Sequence, residues 1–92
     1  MKSILQSEKE CFVTGRKEGL HKHHVFEGTA NRKKSEEWGL YIWLTPEFHN
    51  MSSKGIHFNK DFDMRVKQYA QKEFEKRWGH EKWMEEFHRN YI

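Results

Sequence analysis

Apolar residues in the C-terminal third recur at Phe62, Val66, Tyr69, Ala70, Phe74 and Trp78. This i, i+4, i+7, i+8 spacing puts one aromatic stripe on one face of a helix from about Asp61 to Trp78. Gly79 supplies the stop, and a second short helix, roughly His80 to His88, is expected to bring Trp83, Met84 and Phe87 back against the first. Earlier in the chain the pattern shortens. Leu40-Tyr41-Ile42-Trp43-Leu44, bounded by Gly39 and Pro46, reads as the second strand of a hairpin. Thr45 then has the character of an N-cap with Pro46 at the first helical position, which predicts a short helix carrying Glu47, Phe48 and His49. An extended piece at Cys11-Phe12-Val13, a turn at Thr14 to Gly19 and a first strand over Leu20 to Phe26 precede it. Residues 27–37 read as a loop, with a short helical turn capped by Ser35. Met51 to Gly55 reads as a mobile loop. The class is α+β.

Composition narrows this further. Ninety-two residues make a single domain, 1–92, and aliphatic content is thin while aromatics reach 15%. The core must be built from rings, each of which removes roughly 150–250 Å² from water when buried. Met1 to Glu10 offers only Ile4 and Leu5 as an apolar patch, too little for a secretory signal, and the longest apolar run is far short of the about 20 residues of a membrane span. The expectation is a soluble protein with no membrane partner. Its lone cysteine needs no oxidising compartment, so the cytoplasm is the default. The net charge of +3 is spread over both halves, with eight Lys/Arg against six Asp/Glu in residues 1–44 and nine against eight in 45–92. The one local run, Arg32-Lys33-Lys34, either touches phosphates or is a solvated turn.

Seven histidines carry the candidate chemistry. Side chains alternate along a strand, so His21 and His23 share a face and His24 points the other way. One of the adjacent pair can hold a metal while its neighbour stays free as a base. His49 follows the second strand and His57 lies eight residues on, so a strand-loop-strand-helix unit would gather these imidazoles into a small metal site. His80 and His88 read as surface residues, and His21 as a flanking one.

His23-His24-Val25 on a strand, followed by Leu44-Thr45-Pro46-Glu47-Phe48-His49 at a helix start, resembles the HNH endonuclease motif and its ββα-metal fold. Cys11 to Gly15 and Thr45 to His49 resemble the paired CxxC knuckles of many HNH proteins, with Thr14, Thr45 and Phe48 where cysteines would be. The stretch from Cys11 to Tyr91, including Asn31-Arg32-Lys33 and Gly55-Ile56-His57, looks most like small phage or prophage HNH proteins. The resemblance implies a ββα core over about 11–58 and a C-terminal helical extension over about 60–90, with no knuckle zinc and an aromatic core in its place.

It also implies roles. His23 matches the first, metal-binding histidine, His24 the general base, and His49 the helix histidine on the metal, with His57 as candidate for the last ligand. Leu40 occupies the position where the family often places its middle asparagine; Asn31 is the substitute, with Asn50 and Asn59 as rivals. The residue types suit phosphodiester hydrolysis. A divalent ion is a Lewis acid for the scissile phosphate, and a histidine titrating near neutrality is a base for the attacking water. Arg32, Lys33 and Lys34 would then hold flanking DNA phosphates. The donor set admits Zn, Ni, Co or Mn more readily than Mg. The expectation is a metal-dependent DNA endonuclease of phage or prophage origin, acting in the bacterial host cytoplasm. Its alternative is a catalytically inactive HNH-fold DNA-binding or assembly module, set among phage packaging or recombination proteins. A third reading is a structural zinc-finger-like domain.

Overall fold

Two four-residue strands form the only sheet. β1 (His21–His24) runs antiparallel to β2 (Tyr41–Leu44), in the register His21 opposite Leu44, Lys22 opposite Trp43, His23 opposite Ile42 and His24 opposite Tyr41. The computed structural model describes all residues, 1–92. The apolar run from Leu40 to Leu44 becomes β2 because Leu40, Ile42 and Leu44 are fully buried, as are Val25 and Phe26 just after β1. Cys11 adds a single parallel bridge to Trp43 in place of an extended piece, with the Phe12 N–H donating to the Trp43 carbonyl at 2.8 Å.

Residues 27–37 depart most from the sequence reading. They hold a helix, α1 (Thr29–Glu37), instead of a loop with a short turn. Ser35 is not its cap; it is fully buried near the helix end, where its Oγ accepts from the Phe26 N–H at 3.1 Å and donates to the Phe26 carbonyl at 3.4 Å. No apolar stripe marked this segment, since Ser35 is its one buried residue. Lysine, arginine, alanine and glutamate favour helix intrinsically, and the serine clasp supplies the tertiary anchor. After Trp38 the chain turns at Gly39, with φ +70°, where a Cβ would lie 2.4 Å from the Lys2 carbonyl oxygen. Only glycine lets the N-terminal segment cross there, and the Ile4 N–H donates to the Gly39 carbonyl at 2.9 Å.

Thr45 and Pro46 start α2 (Pro46–His49) as the sequence suggests, though the Thr45 hydroxyl makes no capping bond. The Met51 to Gly55 segment is folded back on α2: the Ser52 Oγ donates to the Glu47 carbonyl at 2.8 Å and the Gly55 N–H to the Ser52 carbonyl at 2.9 Å. A 3-10 turn, Ile56–Phe58, follows. A Cβ on Gly55 would sit 2.7 Å from the His49 carbonyl oxygen, so this turn approaches the end of α2 more closely than any side chain would allow.

α3 (Lys60–Trp78) and α4 (His80–Phe87) match the helical pattern closely. The Asn59 carboxamide caps α3 by accepting from the Phe62 N–H at 3.0 Å, Asp61 and Asp63 lie in its first turn, and Lys76 and Arg77 in its last. Val66, Ala70 and Phe74 bury their side of the stripe, while Tyr69 stays 37% exposed. Trp83 stacks on Phe87 at 4.3 Å between ring centroids and meets Phe26 and Phe74 edge-on at 5.2 Å each. Strands and helices thus share one core. The fully buried Gln71 latches the tail across it, its amide donating to Asn90 Oδ1 at 2.7 Å and its carbonyl accepting from the Tyr91 N–H at 2.7 Å. No helix is long and apolar enough to cross a membrane.

Candidate metal centre

The register of β1 decides which histidines meet. His21 and His23 face α2, where the short helix presents His49, and the Gly55 approach delivers His57 from the 3-10 turn. His23, His49 and His57 bring one ring nitrogen each within 4.8 Å of one another, a spacing at which three imidazoles could hold one ion. The eight-residue interval between His49 and His57 is thus closed by backbone contact. His49 Nε2 lies 3.0 Å from His57 Nε2, and the His23 ring stands 5.3 Å from His49 and 5.1 Å from His57, centroid to centroid.

His23 is 2% exposed, and its Nε2 is the one buried side-chain nitrogen or oxygen with no hydrogen-bond partner. Leaving such a group unpaired costs on the order of 1–3 kcal/mol. A lone pair held in a pocket with two other imidazoles fits a cation, which would take up that unused bonding capacity. Burial pushes the His23 pKa down to about 3, reinforced by the neighbouring His49 and His57. Burial likewise lowers His49 to about 4, with His57 and His21 adding to the effect. Both rings are therefore neutral at pH 7, the form that ligates metals.

His21 is part of this arrangement rather than a flanking residue. Its Nδ1 lies 3.0 Å from His49 Nδ1. With the His49 proton on Nδ1 and donated to His21, the His49 Nε2 keeps its lone pair for a metal. The sequence offered a signal for this, since His21 and His23 share a strand face.

His24 points away from the three, as the alternation requires, yet it lines the same cleft. That cleft has a volume of about 300 Å³ and is walled by His23, His24, His49, His57, Lys22 and Arg32. His24 Nε2 lies 2.8 Å from Glu36 Oε1, and the Lys22 ammonium reaches both oxygens of the same carboxylate at 3.1 and 3.3 Å. The hydrogen bond from His24 and the Lys22 cation outweigh partial burial and hold the Glu36 carboxyl below the usual carboxylate range. Glu36 went unnoticed in the sequence because it lies in a segment read as loop; only the helical turn of α1 carries it back to β1.

The basic triplet is divided by α1. Arg32 is exposed at the cleft, and Lys33 joins Arg32, His24 and Glu36 around a second depression beside it. The Lys34 ammonium is instead engaged by the Glu86 carbonyl. Asn31 lies in the first turn of α1, not in an interstrand loop, and lines neither hollow. Of its rivals, Asn59 caps α3 and Asn50 ends α2. Exposed His80 pairs with Glu75 at 2.7 Å and His88 closes α4 with φ +61°, both apart from the cluster.

Cys11 occupies the other side of β2. Burial raises its thiol pKa, but hydrogen bonds from the Thr14 side chain and from the backbone of Thr14, Thr45 and Val13 outweigh burial and bring it to about 7. Thr45 stands against its sulfur, the Thr45 N–H reaching Sγ at 3.5 Å.

No protein-family model matches this chain, and no curated protein or solved structure does either.

Proposed function

We propose that this protein is a metal-dependent DNA endonuclease of the HNH type, built on a ββα-metal core and hydrolysing phosphodiester bonds. One observation carries the reading. A buried histidine with an unpartnered Nε2 meets two further imidazoles in a cleft that also contains an adjacent histidine turned aside from them.

His23, His49 and His57 would hold a divalent cation, and three imidazoles favour Zn, Ni, Co or Mn over Mg. When bound, such an ion supplies Lewis-acid polarisation of the scissile phosphate and neutralises charge on the leaving oxygen. The chain's own residues do the remainder. His24 takes the proton from a water whose oxygen bonds to phosphorus as the bond to the leaving oxygen breaks. It suits this task because it lies in the cleft without belonging to the ligand set. Arg32 and Lys33 are exposed around it and would grip phosphates flanking the cut, which gives salt-sensitive, sequence-poor binding. Lys34 is assigned no such part, and Asn31 no catalytic one.

Plasmid nicking tests the proposal. Metal-free wild-type and His24→Ala proteins are reloaded across a panel of Mn²⁺, Mg²⁺, Zn²⁺, Ni²⁺ and Co²⁺. The wild type is expected to nick with at least one of these ions, and His24→Ala to lose about 10²–10⁴-fold. Equal nicking by both proteins would sink the assignment of His24. The second reading, an inactive DNA-binding or assembly module on the same scaffold, draws on the position of Asn31 outside the cleft. Such a module would shift DNA on a gel without metal and release no ends with it.

A further inference from the structure

The hydrogen bond between Glu36 and His24 has no part in metal ligation, yet it engages the proposed base. We infer that Glu36 is the positioning residue for His24, fixing the ring proton on Nε2 so that Nδ1 carries the lone pair that accepts a proton from water. This rests on the nuclease reading for its catalytic consequence, but its structural content stands on the contact alone.

A carboxylate can only accept, so the 2.8 Å approach of Glu36 Oε1 to His24 Nε2 requires the proton on Nε2. A second partner holds Glu36 in place. Lys22 donates to both of its oxygens, and the Lys22 ammonium sits 4.3 Å from the centre of the Tyr41 ring. Nδ1 of His24 has no protein partner and is not buried, which leaves it open to a reactant in the cleft. The carboxylate also stabilises the imidazolium that forms once Nδ1 has taken the proton. Without it the ring is free to rotate and to carry its proton on either nitrogen.

The structural reason is the strand. Lys22 and His24 are two residues apart on β1 and therefore share the face opposite His23. Glu36, near the end of α1, closes over that face, and the buried Ser35 beside it ties the helix to Phe26. The cleft thus has a metal side set by His23 and a base side set by Glu36.

Two readouts test the inference on Glu36→Ala and Glu36→Gln proteins. Ring ¹⁵N shifts of His24 in the metal-free protein are expected to show a protonated Nε2 in the wild type. Glu36→Ala should give a mixture of both tautomers, and Glu36→Gln, whose amide oxygen still accepts, should remain close to wild type. In plasmid cleavage with the best ion of the panel, Glu36→Ala is expected to lower kcat by about 10–100-fold with KM little changed, and Glu36→Gln by less. A wild-type tautomer in Glu36→Ala, or cleavage by that protein at the wild-type rate, overturns the inference. Should the wild type fail to cleave with every ion of the panel, the nuclease reading falls, while the ¹⁵N shifts still decide whether Glu36 fixes the His24 proton.

Discussion

The aromatic half and the histidine half of this chain treat buried polarity in opposite ways. Around α3 and α4 the buried polar groups are used: Gln71 bonds through both ends of its amide, and Trp83 donates its indole N–H to the Arg89 carbonyl at 2.8 Å. Between β1, α2 and the 3-10 turn, His23 is buried with Nε2 unpartnered and two further imidazoles crowd it. The first arrangement favours stability of the bare chain. The second gives up some of it and keeps three imidazoles close enough to hold an ion.

Substitutions should separate the two halves by sign. Phe74→Ala removes the ring at the centre of the aromatic cluster and is expected to cost about 3–5 kcal/mol in urea unfolding, a large share of the stability of a domain this size. A loss below 1 kcal/mol would show that the rings do not carry the core. Acid should act through the other half. His23 and His49 titrate below their ordinary value near 6.5 when folded, so the unfolded chain binds more protons once the pH falls below that value. Stability of the metal-free protein is therefore intact above pH 6.5 and declines from there toward pH 3–4. The slope reaches about 1.4 kcal/mol per pH unit for His23 and is smaller for the half-buried His49. A flat profile between pH 7 and 5 would contradict the burial of these rings.

His23→Leu sharpens the contrast most directly. It removes an unsatisfied buried nitrogen, so the metal-free protein should lose nothing or gain about 1 kcal/mol, whereas the stabilisation of the wild type by added Zn²⁺ should vanish. Destabilisation by several kcal/mol would mean that His23 is a packed core residue and little else. The smallest expected effect is that of His21→Ala. Losing the partner of His49 Nδ1 should weaken Zn²⁺ binding by about tenfold in calorimetry while leaving the unfolding midpoint of the metal-free protein nearly unmoved.

Legibility in the sequence followed periodicity. α3 and α4 were readable because rings repeat with the helical spacing, and β2 because apolar residues fill a short run between Gly39 and Pro46. α1 was not, since a helix with a single buried residue leaves no stripe; its existence depends on Ser35 reaching Phe26, a contact between distant positions. In the site, alternation along β1 gave the division between His23 and His24, and the residue order suggested His49 and His57. Their convergence depends on Gly55 packing on the His49 carbonyl, which no spacing rule encodes. The roles of Lys22 and Glu36 were hidden for the same reason, and the basic triplet divided once its residues were wound onto a helix.

Phe26 belongs to both halves. Its ring lies 5.2 Å from Trp83, 5.1 Å from Phe87 and 5.3 Å from Tyr91, while its backbone is clasped by Ser35 two residues beyond His24. It works as a pivot between the ring stack and the strand that carries the proposed base. Loosening the stack would therefore be transmitted along the backbone to the aim of His24. Rigidity in one half is thus a lever on precision in the other, and the last ring of the chain, Tyr91, packs on the same pivot.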